Sequence, residues 1–147
     1  MIVYLDTSAL VKLFVDEPGS EEVLAWTAEA VSVACSSIGF PEAISAFSRR
    51  LRSESIGRAV YDRVLDELDR QWDDVVTVPV DERLAGDLAR RHPLSGADAI
   101  HLAAALTLLG ANLPIAFCGY DERLSLAAAA EGLRVLPKQL TSRNRPG

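Results

Sequence analysis

Thiol and imidazole are scarce: two cysteines, Cys35 and Cys118, and two histidines, His92 and His101, are all that 147 residues supply. Neither a disulfide framework nor a zinc site can be built from them at ligand spacing. Each cysteine lies in a short apolar run and reads as a buried, reduced thiol in a core strand, which suits a cytoplasmic protein. No Walker loop, Gly-x-Gly-x-x-Gly or Gly-x-Ser-x-Gly is present, so the commonest nucleotide-binding and serine-hydrolase readings fall away. No cationic segment precedes the apolar start Ile2 to Leu5, and Asp6 interrupts it. A secretory signal is therefore not expected, and the chain should stay where it is made. Ala99 to Cys118 lacks Asp, Glu, Lys and Arg over about the length of a membrane span. Gly110, Asn112 and Pro114 divide it into a buried helix and a buried strand, so no membrane association is expected.

Acids outnumber bases, 21 Asp and Glu against 15 Lys and Arg, for a net charge of −6. A polyanionic ligand is repelled by the molecule as a whole and needs a local basic patch or bound cations. A hydrophobic share of 49% and a charged share of 24% are those of an ordinary globular chain. The expected organisation is one domain over residues 1–138 and a short, loose tail over 139–147 that carries Arg143 and Arg145.

Apolar runs at Ile2–Leu5, Val31–Cys35, Val75–Val78, Ile115–Cys118 and Arg134–Leu136 read as strands, separated by segments of helical periodicity. Ser20 is placed as the N-cap of a helix reaching Ala30, and Pro41 as the first residue of one reaching Arg52. With Gly57 to Trp72 the latter forms a helical hairpin. Helices also fit Asp81 to Arg91, Ser95 to Leu109 and Asp121 to Glu131. This alternation predicts an α/β fold: three layers, α/β/α, around a mostly parallel central sheet of about five strands.

Functional groups in an open parallel sheet gather at the carboxyl ends of its strands. Four acids fall there. Asp6 follows the first strand, Glu42 opens the helix after the second, Asp98 lies in the first turn after Ser95, and Asp121 follows Cys118. Singly, each could serve a helix cap or dipole. Together, close carboxylates repel unless protons or cations neutralise them, and oxygen donors of this kind suit Mg²⁺ or Mn²⁺. The chemistry that such a site supports is metal-assisted phosphodiester hydrolysis.

Asp6-Thr7-Ser8-Ala9-Leu10-Val11-Lys12-Leu13, Glu42 with Arg49, Ala97-Asp98-Ala99-Ile100-His101-Leu102-Ala103-Ala104, and Tyr120-Asp121-Glu122-Arg123-Leu124 resemble the motifs of PIN-domain ribonucleases. Within these the chain is most similar to the VapC toxins of type II toxin–antitoxin pairs, from Met1 to about Leu136. The resemblance implies that Asp6, Glu42, Asp98 and Asp121 form an acidic site for Mg²⁺ or Mn²⁺. It also implies RNA cleavage, a homodimer, and inhibition by a VapB-type antitoxin. One position departs: the family has Thr or Ser two residues before the last aspartate, and here Gly119 removes that hydroxyl. Thr7 and Ser8 remain available to a carboxylate or to helix capping.

His101, three residues after Asp98 on an apolar helix, reads as a packed ring with one nitrogen satisfied rather than a general base. Basic residues group at Arg49, Arg50 and Arg52, at Arg90 and Arg91, and at Lys138, Arg143 and Arg145. Helix dipoles account for such placements, and one group is also a candidate guide for RNA. The acidic stretch Asp62 to Asp74 reads as a solvated face whose apolar side could meet a second copy or an antitoxin. A rival reading is a catalytically idle PIN-like scaffold that acts by protein interaction. An aspartyl-phosphate enzyme would want a second Asp where Ser8 stands.

Overall fold

The computed structural model describes residues 1–138; the expected tail, with Arg143 and Arg145, lies outside the described residues. In chain order the elements are β1 (Ile2–Leu5), α1 (Thr7–Lys12), α2 (Ser20–Glu29), β2 (Ser32–Ser36), α3 (Gly39–Arg52) and α4 (Arg58–Trp72). They continue with β3 (Val76–Val78), α5 (Glu82–Arg91), α6 (Gly96–Gly110), β4 (Ile115–Cys118), α7 (Glu122–Ala130) and β5 (Arg134–Leu136). The sheet order is β3-β2-β1-β4-β5. Every described pairing is parallel, so the sheet expected to be mostly parallel is wholly so.

Strand alternation divides the core in two. Val3, Leu5, Cys35, Ala116 and Cys118 face a layer that includes Leu10, Phe47, Val64 and Leu68 from α1, α3 and α4. Tyr4, Ala34, Val78 and Phe117 face Leu88, Leu102 and Leu124 from α5, α6 and α7. Chain order turns back at the centre: β1 leads outward to β2 and β3, and the chain then crosses to β4 on the other side of β1. The crevice at the carboxyl ends of β1 and β4 is thus the switch point at which open α/β sheets bind ligands. Asp6 and Asp121 follow those two strands.

Several local expectations shift. Gly19, at φ 94°, is the N-cap of α2, and Ser20 is the first helical residue. Its buried hydroxyl donates to Val15 O (2.9 Å) and accepts from Glu17 N (3.0 Å), tying the preceding turn instead of capping the helix. Strand β2 begins one residue later than expected, at Ser32, which pairs with Ile2, and Val31 is 82% exposed. Helix α3 starts two residues before Pro41, at Gly39, where a Cβ would collide with Cys35 Sγ. Pro41 still falls in the first turn, where its missing N–H has no helical acceptor to lose. The uncharged run from Ala99 divides as expected into α6 and β4, and among the described residues no single helix is long and apolar enough to cross a membrane. Both cysteines are free and buried, and burial pushes the Cys118 thiol up to about 12.

The α1–α3 packing that carries the candidate site rests on Phe47, fully buried and edge-on to Phe14 at 6.1 Å. Phe47→Ala should destabilise the fold by about 3–5 kcal/mol, read as a lower urea midpoint with an unchanged slope.

Candidate active site

Asp6 extends the β1–β4 pairing by one step, its N–H donating to Cys118 O at 3.0 Å. With extended backbone it then caps α1: Oδ1 accepts from Ala9 N (2.9 Å) and from Ser8 Oγ (2.6 Å). The Ser8 hydroxyl in turn accepts from Tyr120 N at 3.0 Å, joining the loops after β1 and β4. Asp6 Oδ2 receives no hydrogen bond from a described residue and lies over Gly119, where a Cβ would come within 2.5 Å of it. In this structure the Asp6 carboxylate lies in the space a side chain at residue 119 would enter, so a Thr or Ser there would require that carboxylate to turn. Asp6 is 3% exposed. Burial pushes its pKa above the usual carboxylate range, outweighing the Ser8 and Ala9 hydrogen bonds, and the charge of Asp98 adds to the rise.

Glu42, in the first turn of α3, is held from two sides. Its Oε1 accepts from Thr7 Oγ1 (2.7 Å) and lies 2.7 Å from His101 Nε2. The other ring nitrogen, Nδ1, is 2.8 Å from Tyr4 Oη, which accepts from Ser36 N at 3.0 Å. One assignment satisfies the whole chain. Ser36 N–H donates to Tyr4, Tyr4 O–H donates to Nδ1, and Nε2–H donates to Glu42 and, at 3.0 Å, towards Thr7 Oγ1. Burial alone would raise the Glu42 pKa, but the His101 and Thr7 hydrogen bonds bring it below the ordinary value. His101 was expected to pack with one nitrogen satisfied; both are engaged, and one reaches an acidic residue of the site. Tyr4 and Phe117 stack at 5.5 Å and fix the phenol.

Asp98 sits in the first turn of α6, behind the expected Ser95 cap, whose hydroxyl accepts from Asp98 N at 3.2 Å. Desolvation raises its pKa, and the charges of Asp121 and Glu42 add to the rise. Asp121 is exposed and caps α7, its Oδ1 accepting from Leu124 N at 2.9 Å. The four carboxylates thus meet at one sheet edge, within electrostatic reach of one another. They do not close into a ligand set: among the described residues, no three Asp, Glu, His or Cys groups stand at metal-holding distance. No described Lys, Arg or His forms an ion pair with Asp6, Asp98 or Asp121.

That donor set fits a hard divalent cation of one kind. Mg²⁺ is ordinarily held by one or two carboxylates, with waters and substrate phosphate completing its shell, and needs no all-protein cage. The Asp6 Oδ2, which no described residue donates to, and the Asp98 carboxylate, which no described cation pairs with, are the groups that would offer such partial coordination. Of the basic groups, Arg91 and His92 are tied to Glu131 at 2.9 and 2.7 Å. Lys12 and Arg50 are tied to Glu17 at 3.0 and 2.9 Å and line the groove beside Glu42.

The PIN domain profile matches residues 3–130, and the chain belongs to the PIN-domain family. It is 37% identical over 146 residues to Ribonuclease VapC45 of Mycobacterium tuberculosis (strain CDC 1551 / Oshkosh), covering 95% of this chain and 97% of the relative. Identity and coverage are the same for Ribonuclease VapC49 of strain ATCC 25618 / H37Rv. In three dimensions it is similar to FitAcB from Neisseria gonorrhoeae, with TM-score 0.63, 18% identity and coverage of 92% and 96%. Mycobacterium tuberculosis VapC20, described as a sarcin-ricin loop cleaving toxin, gives TM-score 0.61 and 16% identity, covering 89% of this chain and 95% of that one. These two likenesses concern the fold alone.

Because the raised Asp6 pKa means that the folded state binds the proton more tightly, its stability contribution is full below the unfolded pKa. That contribution is lost as pH rises through the folded value. Asp6→Asn keeps the cap and removes the charge. In metal-free buffer the variant should melt several degrees above wild type at neutral pH, the gap closing as pH falls to the ordinary carboxylate range; thermal denaturation across pH measures it.

Proposed function

We propose that the chain is a Mg²⁺- or Mn²⁺-dependent endoribonuclease, the toxin of a type II toxin–antitoxin pair, hydrolysing RNA phosphodiester bonds at Asp6, Glu42, Asp98 and Asp121. The observation that carries this reading is the buried, cation-free Asp6 carboxylate with an open oxygen beside Asp98 at the switch point. The ribonuclease names of relatives matching nearly the whole chain support the same activity. A bound divalent cation supplies Lewis acidity at the phosphate and a more acidic water. Asp6 and Asp98 are the residues placed to hold it, with Asp121 at the exposed rim. Glu42, its Oε1 taken up by Thr7 and His101, keeps Oε2 for the cation or for a proton from the attacking water. The lowered Glu42 pKa keeps that oxygen an acceptor at neutral pH.

Wild-type protein should cleave single-stranded RNA in Mn²⁺ and stop on chelation. Asp6→Asn should lose roughly a hundredfold or more, and Mn²⁺ should raise the wild-type melting temperature. A variant that cleaves as fast as wild type in the same buffer would overturn the assignment, and an inert wild type would favour the idle scaffold.

In this reading the protein works in the cytoplasm as a homodimer and is restrained by a VapB-type antitoxin. An arginine is the chemistry best suited to block an acidic pocket, since its guanidinium spans two carboxylate oxygens. Glu42→Gln and Asp98→Asn should therefore weaken antitoxin binding measured by calorimetry at several salt concentrations. Unchanged affinity would place the inhibitory contact elsewhere.

A further inference from the structure

Beside the acidic edge lies a groove of about 430 Å³ that Thr7, Ser8 and Glu42 share with Lys12, Arg49 and Arg50. Its cations are arranged in an unexpected way. Lys12 from α1 and Arg50 from α3 both bind Glu17 in the turn after α1: Lys12 Nζ donates at 3.0 Å, and one Arg50 nitrogen donates to both carboxylate oxygens at 2.9 and 3.2 Å. The Lys12 ammonium also lies over the Tyr120 ring, 4.6 Å from its centroid. Arg50 is braced further by Ala46 O at 3.4 Å, and Arg49 by Ser45 Oγ at 3.0 Å. Neither Lys12 nor Arg50 pairs with Glu42, although all three line the same groove.

We propose that Lys12, Arg49 and Arg50 form a subsite for a backbone phosphate flanking the scissile bond of single-stranded RNA, with Glu17 as the residue that positions Lys12 and Arg50. The proposal rests on the ribonuclease reading and deepens it.

Three physical points carry it. The chain as a whole bears a net charge of −6, yet the charged residues of this groove are three cations against two carboxylates. A polyanion reaching the acidic edge needs such a local reversal of sign. Second, one carboxylate shared by two cations leaves a net positive charge and unused donors, because an ammonium has three protons and a guanidinium five. Third, the pairing is built rather than incidental. Burial would raise the Glu17 pKa, but the hydrogen bonds from Lys12 and Arg50 hold it below the ordinary value, and the side chains involved are 12%, 20% and 28% exposed. Held this way, the cations point into the groove without folding onto Glu42, where they would neutralise the acidic site.

The test uses full-length protein and short fluorescent RNA. Lys12→Gln, Arg49→Gln and Arg50→Gln are made in the wild type for cleavage and in the Asp6→Asn background for binding by anisotropy across a salt series. Each should weaken binding about three- to tenfold and reduce the slope of log affinity against log salt by about 0.7. In cleavage, KM should rise while kcat stays close to wild type. A methylphosphonate at one flanking position should reproduce the loss in the wild type and add nothing in the Arg50 variant. Arg90→Gln, exposed on α5, is the control and should change neither readout. Should Arg50→Gln misfold, exposed Arg49→Gln still decides, since its one described hydrogen bond is to Ser45. Slopes and KM equal to wild type in a protein that cleaves RNA would overturn the subsite alone. Absence of cleavage by the wild type in Mn²⁺ would overturn the ribonuclease reading, while the binding slopes still report on the groove.

Discussion

A carboxylate buried at the end of the central strand, with no described Lys, Arg or His paired to it, sets the terms for everything around it. Asp6 is placed there by the β1–β4 ladder, and Ser8 and the start of α1 hold one of its oxygens. The second oxygen lies over Gly119, in space that a side chain there would contest. Burying an ionised group in this way costs free energy that hydrogen bonds offset in part. The raised pKa values of Asp6 and Asp98 are the sign of the remainder. On the reading proposed above, a cation bound at this crevice would relieve that cost.

Glu42 is governed by a different constraint. It projects from the first turn of a helix and is half-exposed, so its own packing does not fix its direction. Direction comes instead through a chain of donors that begins at the backbone of β2 and passes through Tyr4 and His101 to Oε1, with Thr7 closing from α1. Four elements, two strands and a helix on each face of the sheet, thereby agree on one oxygen position. The shared orientation is a property of the sheet register, because Tyr4 must stand between Ala34 and Phe117 for its hydroxyl to reach both Ser36 and the ring.

Much of this was legible in the sequence because it is local. The alternation of apolar runs and helical periodicity marked every strand and helix of the described chain. Asp6, Asp98 and Asp121 were readable as acids at strand ends and helix starts, since turn chemistry repeats over three or four residues. The His101 partnership was not legible, as its contacts lie 59 and 97 residues away in sequence, and a lone histidine on an apolar helix carries no signal of them. Gly119 could be seen only as a missing hydroxyl until the Asp6 carboxylate was found over it. Ser20 misled because its hydroxyl, next to a glycine in left-handed conformation, had a better partner in the preceding turn than in its own helix.

Charge segregation also bears on the choice between an enzyme and an idle scaffold. Lys12 and Arg50 line the same groove as Glu42, and an ion pair with Glu42 would relieve part of the repulsion at the sheet edge. A scaffold indifferent to the acidic site would lose nothing by that relief. Here the groove's second carboxylate, Glu17, takes up both cations, and the only side-chain donors to Glu42 among the described residues are Thr7 and His101. Lys12 and Arg50 are thus held off Glu42 by Glu17, while the Arg49 charge still reaches Glu42 and helps lower its pKa. On the ribonuclease reading proposed above, that arrangement would suit a ligand that carries both signs in the matching order: a divalent cation by Asp6 and Asp98, and an anionic backbone alongside Lys12 and Arg50.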